Sequence, residues 1–170
     1  MQNPQPSKLA AFYELTKPGI VLYVAITAGV GAFVGSRGSL QLWLAFHTIL
    51  GTGITTAGAL ALNQYTERDA DRVMIRTRGR PIPSGKLSPQ SALYFSLALL
   101  FSGLMYLTFT VSWLPAVIAA FSALIYEAVY TPLKSRSYGA TLAGGVPGAL
   151  PMLIGWSAAT GMLEPAGFAL

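Results

Sequence analysis

Five apolar stretches dominate this chain of 170 residues, at roughly Ile20–Gly35, Leu40–Leu62, Ser91–Val111, Leu114–Tyr130 and Thr141–Thr160. Each approaches or exceeds the ~17–25 residues that a helix needs to cross the hydrocarbon layer of a bilayer. Lipid offers no partner to open backbone groups, so helices are the economical way to span it. Composition agrees: 53% of residues are hydrophobic and only 10% charged, with a mean hydropathy of +0.54. A soluble domain carries about a quarter charged residues, so this chain could not cover a water-exposed surface. It is also far too apolar for disorder. The predicted fold class is all-α, a polytopic transmembrane helix bundle of about five spans. Glycine and proline inside the spans, among them Gly29, Gly31, Gly51, Gly53, Gly58, Pro147 and Pro151, predict close helix packing and local kinks. With no cysteine and one histidine, the chain offers no disulfide, thiolate metal site, cysteine nucleophile or histidine-rich metal centre.

Charge placement gives the orientation. Lys8 and Lys17 precede the first span, Arg68, Arg72, Arg76, Arg78, Arg80 and Lys86 lie between the second and third, and Lys134 and Arg136 follow the fourth. Only Arg37 falls on the other side, so alternating spans put ten of the eleven basic residues on one face. The positive-inside rule makes that face cytoplasmic, with the N-terminus inside. The asymmetry accounts for the net charge of +5 without a nucleic-acid partner. Trp43, Trp113 and Trp156 all fall near the outer boundary and are expected to act there as an interfacial belt. The polar, proline-bearing N-terminus does not read as a cleavable signal peptide, nor as an Arg- and Ser-rich mitochondrial presequence. The expected location is therefore a bacterial inner membrane.

The informative polar segment runs from Asn63 to Pro81, beginning at the cytoplasmic end of span two. Asn63, Glu67 and Asp71 are spaced i, i+4, i+8, so one helix face presents an amide and two carboxylates. Asp69 falls on a different face unless the helix has already ended. Carboxylates near a membrane are costly and are normally functional or matched to cations. Oxygen donors of this kind suit Mg²⁺, which takes a few carboxylates together with substrate phosphates. Arg76 and Arg80 follow closely, and arginine forks match phosphate oxygens. A diphosphate with Mg²⁺ satisfies both sets of charges. The plainer alternative is a solvated basic loop that only enforces topology.

A second constellation ends span four. Tyr126, Tyr130 and Lys134 repeat every four residues on the same side, with Pro132 placed to perturb the last turn. Lysine can pair with phosphate, and a tyrosine hydroxyl can bond a leaving oxygen; an interfacial tyrosine pair with a snorkelling lysine is the plainer reading. Glu127 could be a buried partner for an arginine. His47, placed in the middle of span two, suits a helix–helix hydrogen bond better than ligation of a haem iron.

These residues carry a resemblance. Thr16-Lys-Pro-Gly19, the Asn63–Pro81 block, Tyr130-Thr-Pro-Leu-Lys134 and Gly144-Gly-Val-Pro-Gly-Ala-Leu-Pro-Met-Leu-Ile-Gly-Trp156 resemble, in order, the protohaem IX farnesyltransferases (haem O synthases) of the UbiA superfamily of intramembrane prenyltransferases. Asn63-x-x-x-Glu67-x-x-x-Asp71 resembles the superfamily's first diphosphate–Mg²⁺ motif, and Met74-Ile-Arg-Thr77 with Arg80-Pro81 points to the haem branch. The resemblance implies Mg²⁺-dependent transfer of farnesyl from farnesyl diphosphate to the vinyl group of haem B, giving haem O and diphosphate. It implies Glu67 and Asp71 as metal ligands with Asn63 in support, and Asp69 as a further candidate set back by its helix phase. Arg76, Arg80 and Lys134 would hold diphosphate, and Tyr130 would lie beside the leaving group. The implied partners are farnesyl diphosphate, haem B as substrate, the lipid bilayer and terminal oxidase assembly proteins, with no nucleic acid.

Full-length members resemble a nine-helix bundle whose later half carries a Trp-Gln-x-Pro-His-Phe segment and a second acidic loop, neither of which occurs here. Residues 1–170 therefore read as a single membrane-embedded prenyltransferase domain cut short on its C-terminal side. The competing readings are a sister prenyltransferase acting on a quinone precursor or chlorophyllide, an inactive membrane fragment, and a small transporter. Against the transporter, the polar groups gather at one face rather than along a path.

Overall fold

The computed structural model describes residues 7–39, 41–134, 137 and 139–169. Leu40, read as the start of span two, and Arg136, counted with the basic residues, lie outside the described residues. A short helix α1 (Lys8–Leu15) begins at Ser7, whose hydroxyl accepts a hydrogen bond from the Ala10 amide. Helix α2 (Pro18–Gly35) starts with proline at its first position, where the missing N–H costs nothing. Helix α3 (Leu42–Thr66) is followed by a single short turn of helix, α4 (Arg68–Val73). Ser88 caps α5 (Pro89–Thr110) by accepting from the Ser91 amide. Helix α6 (Trp113–Ile125) runs on through a π-helical turn, Tyr126–Tyr130, into α7 (Thr131–Leu133). Helix α8 (Ala140–Thr160) stays helical through Pro147 and Pro151, and α9 (Pro165–Phe168) ends the described chain.

Five of these segments are long and apolar enough to cross a membrane: Pro18–Gly35, Leu42–Thr66, Pro89–Thr110, Trp113–Leu133 and Ala140–Thr160. They match the five predicted spans, except that the second runs four residues further, to Thr66, and so carries Asn63 inside its last turns. The protein is thus a multi-pass membrane protein. Its spans close a ring in which α3 packs chiefly on α5, α2 on α8 and on α3, and α6 bridges α5 and α8. Small residues let the helices meet. A Cβ on Gly155 would collide with the Ala28 carbonyl oxygen of α2, and one on Gly58 with the Leu100 amide of α5.

Two sequence expectations change here. Trp43 and Trp113 are exposed at the starts of α3 and α6, as a belt requires, but Trp156 is buried, with Gly35 of α2 on one side and Gly167 of α9 on the other. Gly35 lets the α8 backbone at Trp156 approach α2, and Gly167 of α9 leaves space for the indole ring. His47 lies five residues into α3, near the end opposite the basic loop and not at mid-span. Its Nδ1 shares a hydrogen bond with the Tyr106 hydroxyl of α5, the helix–helix bond that the sequence favoured over haem ligation.

Candidate active site

The C-terminal end of α3 sets the frame. α3 and α4 are separate helices, yet Glu67 N bonds to Asn63 O and Asp71 N to Glu67 O, each at 2.9 Å. The i, i+4, i+8 path therefore survives the joint, and Asn63, Glu67 and Asp71 face the same way. Asn63 and Asp71 are only 1% and 3% exposed. Asp69 points outward, its side chain 69% exposed, and pairs with Arg68 and Arg72. Asp69, named as a further metal candidate, is thus turned away from Glu67 and Asp71 by its helix phase.

Cations from three distant segments converge on this face. Lys134 Nζ lies 2.6 Å from Glu67 Oε1. Arg80 Nη1 lies 2.6 Å from Asp71 Oδ2 and 3.7 Å from Glu67 Oε2. Lys17 Nζ donates to Asn63 Oδ1 at 3.3 Å. The Asn63 amide in turn donates to Thr131 Oγ1 at 2.9 Å, and Thr131 donates to the Tyr126 carbonyl at 2.8 Å. With three cations over two carboxylates, the cluster keeps a net positive charge.

The loop after α4 is folded back onto the bundle through its buried residues, and that is what places Arg80. Ile82 and Leu87 are buried with Ala11 and Leu15 of α1, Ala61 of α3 and Ala92 of α5, while Lys86 pairs with Glu14 of α1 at 3.2 Å. Buried Thr77 donates to the Asp71 carbonyl at 3.3 Å. Arg76, by contrast, is exposed and makes no ion pair among the described residues. Two arginines that looked equivalent by spacing are separated by the packing of Ile82.

At the end of span four the structure modifies the four-residue repeat. The π turn closes with Thr131 N bonded to Tyr126 O, which adds a residue to the turn. The rings of Tyr126 and Tyr130 stack with centroids 5.3 Å apart. Among the described residues Glu127 pairs with no arginine; its Oε2 accepts from the Thr66 hydroxyl at 3.3 Å.

Lys17 is the site residue that sequence reasoning passed over, having counted it only for topology. It caps α2 in a left-handed conformation, φ 50°, strained for a side chain other than glycine. Burial, then the Arg80 guanidinium, pulls its amine down to about 8, and Lys134 adds to this against the opposing pull of Glu67 and Asp71. A usable signal was present: Pro18 starts the helix immediately after Lys17, fixing that lysine at the same end as Asn63. Thr131 carried no comparable signal.

A cavity of about 690 Å³ opens beside the cluster, between α2, α3, α6 and α8. Tyr126, Tyr130 and Lys134 line its mouth, and its walls are largely apolar, with Val24, Leu60 and Ile154 among them. Lys134 belongs to both features, lining the cavity and gripping Glu67. A polar, cationic mouth on an apolar cavity suits a ligand with an anionic head and a hydrocarbon tail. Glu67 and Asp71 are hard oxygen donors of the kind Mg²⁺ accepts, one or two at a time; no group of three or more His, Asp or Glu side chains converges among the described residues.

The profile of the UbiA prenyltransferase family matches residues 24–170. The chain belongs to that family. Proteins named protoheme IX farnesyltransferase are similar to it: that of Solibacter usitatus is 42% identical over 89% of this chain and 55% of its own length. The Aquifex aeolicus protein is 45% identical over 90% and 53%, and the Myxococcus xanthus protein 41% over 97% and 56%. The chain spans about half the length of these curated relatives. A solved structure, described as giving insights into digeranylgeranylglyceryl phosphate synthase in membranes, superposes with a TM-score of 0.80 at 23% identity, over 89% of this chain and 53% of that one. At that identity it speaks for the fold: a helical bundle of the family's kind.

Proposed function

We propose that residues 1–170 belong to a single prenyltransferase domain that transfers farnesyl from farnesyl diphosphate to the vinyl group of protohaem IX. The observation that carries this is the cationic cluster at the mouth of the apolar cavity, joined to it through Lys134. The choice of farnesyl and haem B rests on the names of relatives 41–45% identical to this chain, which favour haem over a quinone precursor or chlorophyllide.

Lys134 and Arg80 would exchange the carboxylates they now hold for diphosphate oxygens, with Lys17 closing the third side. Arg76, which makes no ion pair with the cluster among the described residues, is given no part. Tyr130, at the mouth, can donate its hydroxyl to the oxygen that leaves with the diphosphate. Glu67 and Asp71 fit Mg²⁺, which when bound would offset the negative charge that builds on the departing diphosphate. The apolar walls would hold the hydrocarbon tail and keep water from the allylic carbon. Asn63 would orient Lys17 and Thr131 rather than touch the metal. The basic end of the bundle would face the cytoplasm of a bacterial inner membrane, where a water-soluble diphosphate can enter.

The test is transfer of labelled farnesyl in the native protein purified from its own membranes. Haem B should accept the label, and aromatic acceptors should not. Labelling of an aromatic ring in place of haem would overturn the acceptor assignment.

A further inference from the structure

Three helices place the deepest lining of the cavity at one level. The lining residues furthest from the mouth are Thr52 on α3, Ala119 on α6 and Ile154 on α8. Each lies fourteen residues along its span from the basic end, at Thr66, Leu133 and Ala140 respectively. Measured from Asn63 and Tyr130, at the level of the charged cluster, Thr52 and Ala119 are both eleven residues deep, or about 16 Å of helix. Past this level the cavity meets packed core: Ala119 and Ile154, 3% and 2% exposed, are buried with Leu107, Ala116, Ile118 and Leu153. Thr52 is 1% exposed, and its hydroxyl has no hydrogen bond among the described residues. Neighbouring Thr48 and Thr55 return theirs to the carbonyls of Leu44 and Gly51. The Thr52 side chain is thus what the tip of a bound tail would meet.

With carbon–carbon bonds of about 1.5 Å, one extended isoprene unit spans about 5 Å. Three units fill the depth from the cluster to the floor, and a fourth overruns it. We infer that Thr52, Ala119 and Ile154 form a chain-length gauge that admits a fifteen-carbon prenyl tail and rejects a twenty-carbon one. The gauge rests on the reading of this site as one for a prenyl diphosphate, and specifies which residues select its tail.

The experiment is competition binding on the native protein in detergent. Geranyl, farnesyl and geranylgeranyl diphosphates compete against labelled farnesyl diphosphate, with inorganic diphosphate as the headgroup control. Farnesyl diphosphate should bind tightest, with the geranylgeranyl compound weaker by about tenfold or more. Ala119→Leu raises the floor and should move the optimum to geranyl diphosphate. Ile154→Ala lowers it and should restore geranylgeranyl binding; the unsubstituted protein's own ranking supports or overturns the gauge even where a variant fails to fold. Equal binding of the fifteen- and twenty-carbon compounds would overturn the gauge while leaving the prenyl site intact. If no prenyl compound competes better than inorganic diphosphate, the prenyl site itself falls, and the gauge with it.

Discussion

The two ends of the bundle handle charge in opposite ways. At the basic end, Glu67 and Asp71 are enclosed, with side chains 13% and 4% exposed, and are gripped by Lys134 and Arg80 at 2.6 Å. At the other end, Arg37 and Glu164 meet at 3.1 Å with side chains 70% and 30% exposed, beside a polar hollow of about 310 Å³. An exposed pair is worth ~0–1 kcal/mol. A buried pair loses much of its attraction to desolvation, so its presence beside a membrane marks function more than stability. The enclosed pairs join α3, α4, α7 and the folded loop, and each cation in them can trade a carboxylate for another anion. The exposed pair joins only two chain segments, and neither partner lines the apolar cavity.

The sharpest way to break this contrast is to neutralise the enclosed carboxylates. Glu67→Gln or Asp71→Asn should lower farnesyl transfer by about a hundredfold or more while the protein still inserts into the membrane. Normal product formation by either variant would reduce the cluster to a structural clasp. Next in size, Lys134→Ala should weaken farnesyl diphosphate binding by about tenfold and leave haem binding close to normal, as read by titration of each ligand; equal losses for both would remove its phosphate role.

Lys17 sharpens the contrast through pH. Its amine sits at about 8, against 10.5 in an exposed lysine. Diphosphate affinity should fall as pH rises through about 8, because the cation is lost there. Stability should move the other way. The unfolded chain holds this proton up to 10.5 and the folded chain only to about 8, so folding is penalised below 8 and the penalty lifts between 8 and 10.5. Lys17→Arg, always charged, should hold its diphosphate affinity flat across pH 8. The smallest effect belongs to the far end: Arg37→Ala should shift stability by ~0–1 kcal/mol and leave transfer unchanged. A loss of transfer there would show that both ends take part in the reaction.

The spans were legible because lipid leaves a chain few options; their starts at Pro18 and Pro89 lie two residues before the apolar stretches begin. The facing of Glu67 and Asp71 was legible because the backbone bonds continue the helical phase through the joint at Glu67. What spacing could not show was which cations come to meet them. Arg76 and Arg80 differ in nothing local; Ile82, buried against Leu15 from 67 residues earlier in the chain, decides between them. Lys17 reaches Asn63 across 46 residues, a contact set by how α2 packs on α3. Trp156 looked like a belt residue until α8 was seen to turn it inward. These misses share one cause: each depends on contacts between segments far apart in the chain, set by how a loop or a helix packs on its neighbours, which a single sequence does not display.

The π turn at Tyr126–Tyr130 is a phase shifter. An α-helix advances about 100° per residue, so the residue that this turn accommodates rotates everything after it relative to α6. Lys134 reaches both the cavity and Glu67 from that rotated position. Deleting one residue between Tyr126 and Tyr130 would leave the span nearly as long and as apolar as before. It would also swing Lys134 by about 100° around the helix, so that the membrane would accept the segment while the mouth of the cavity lost its lysine.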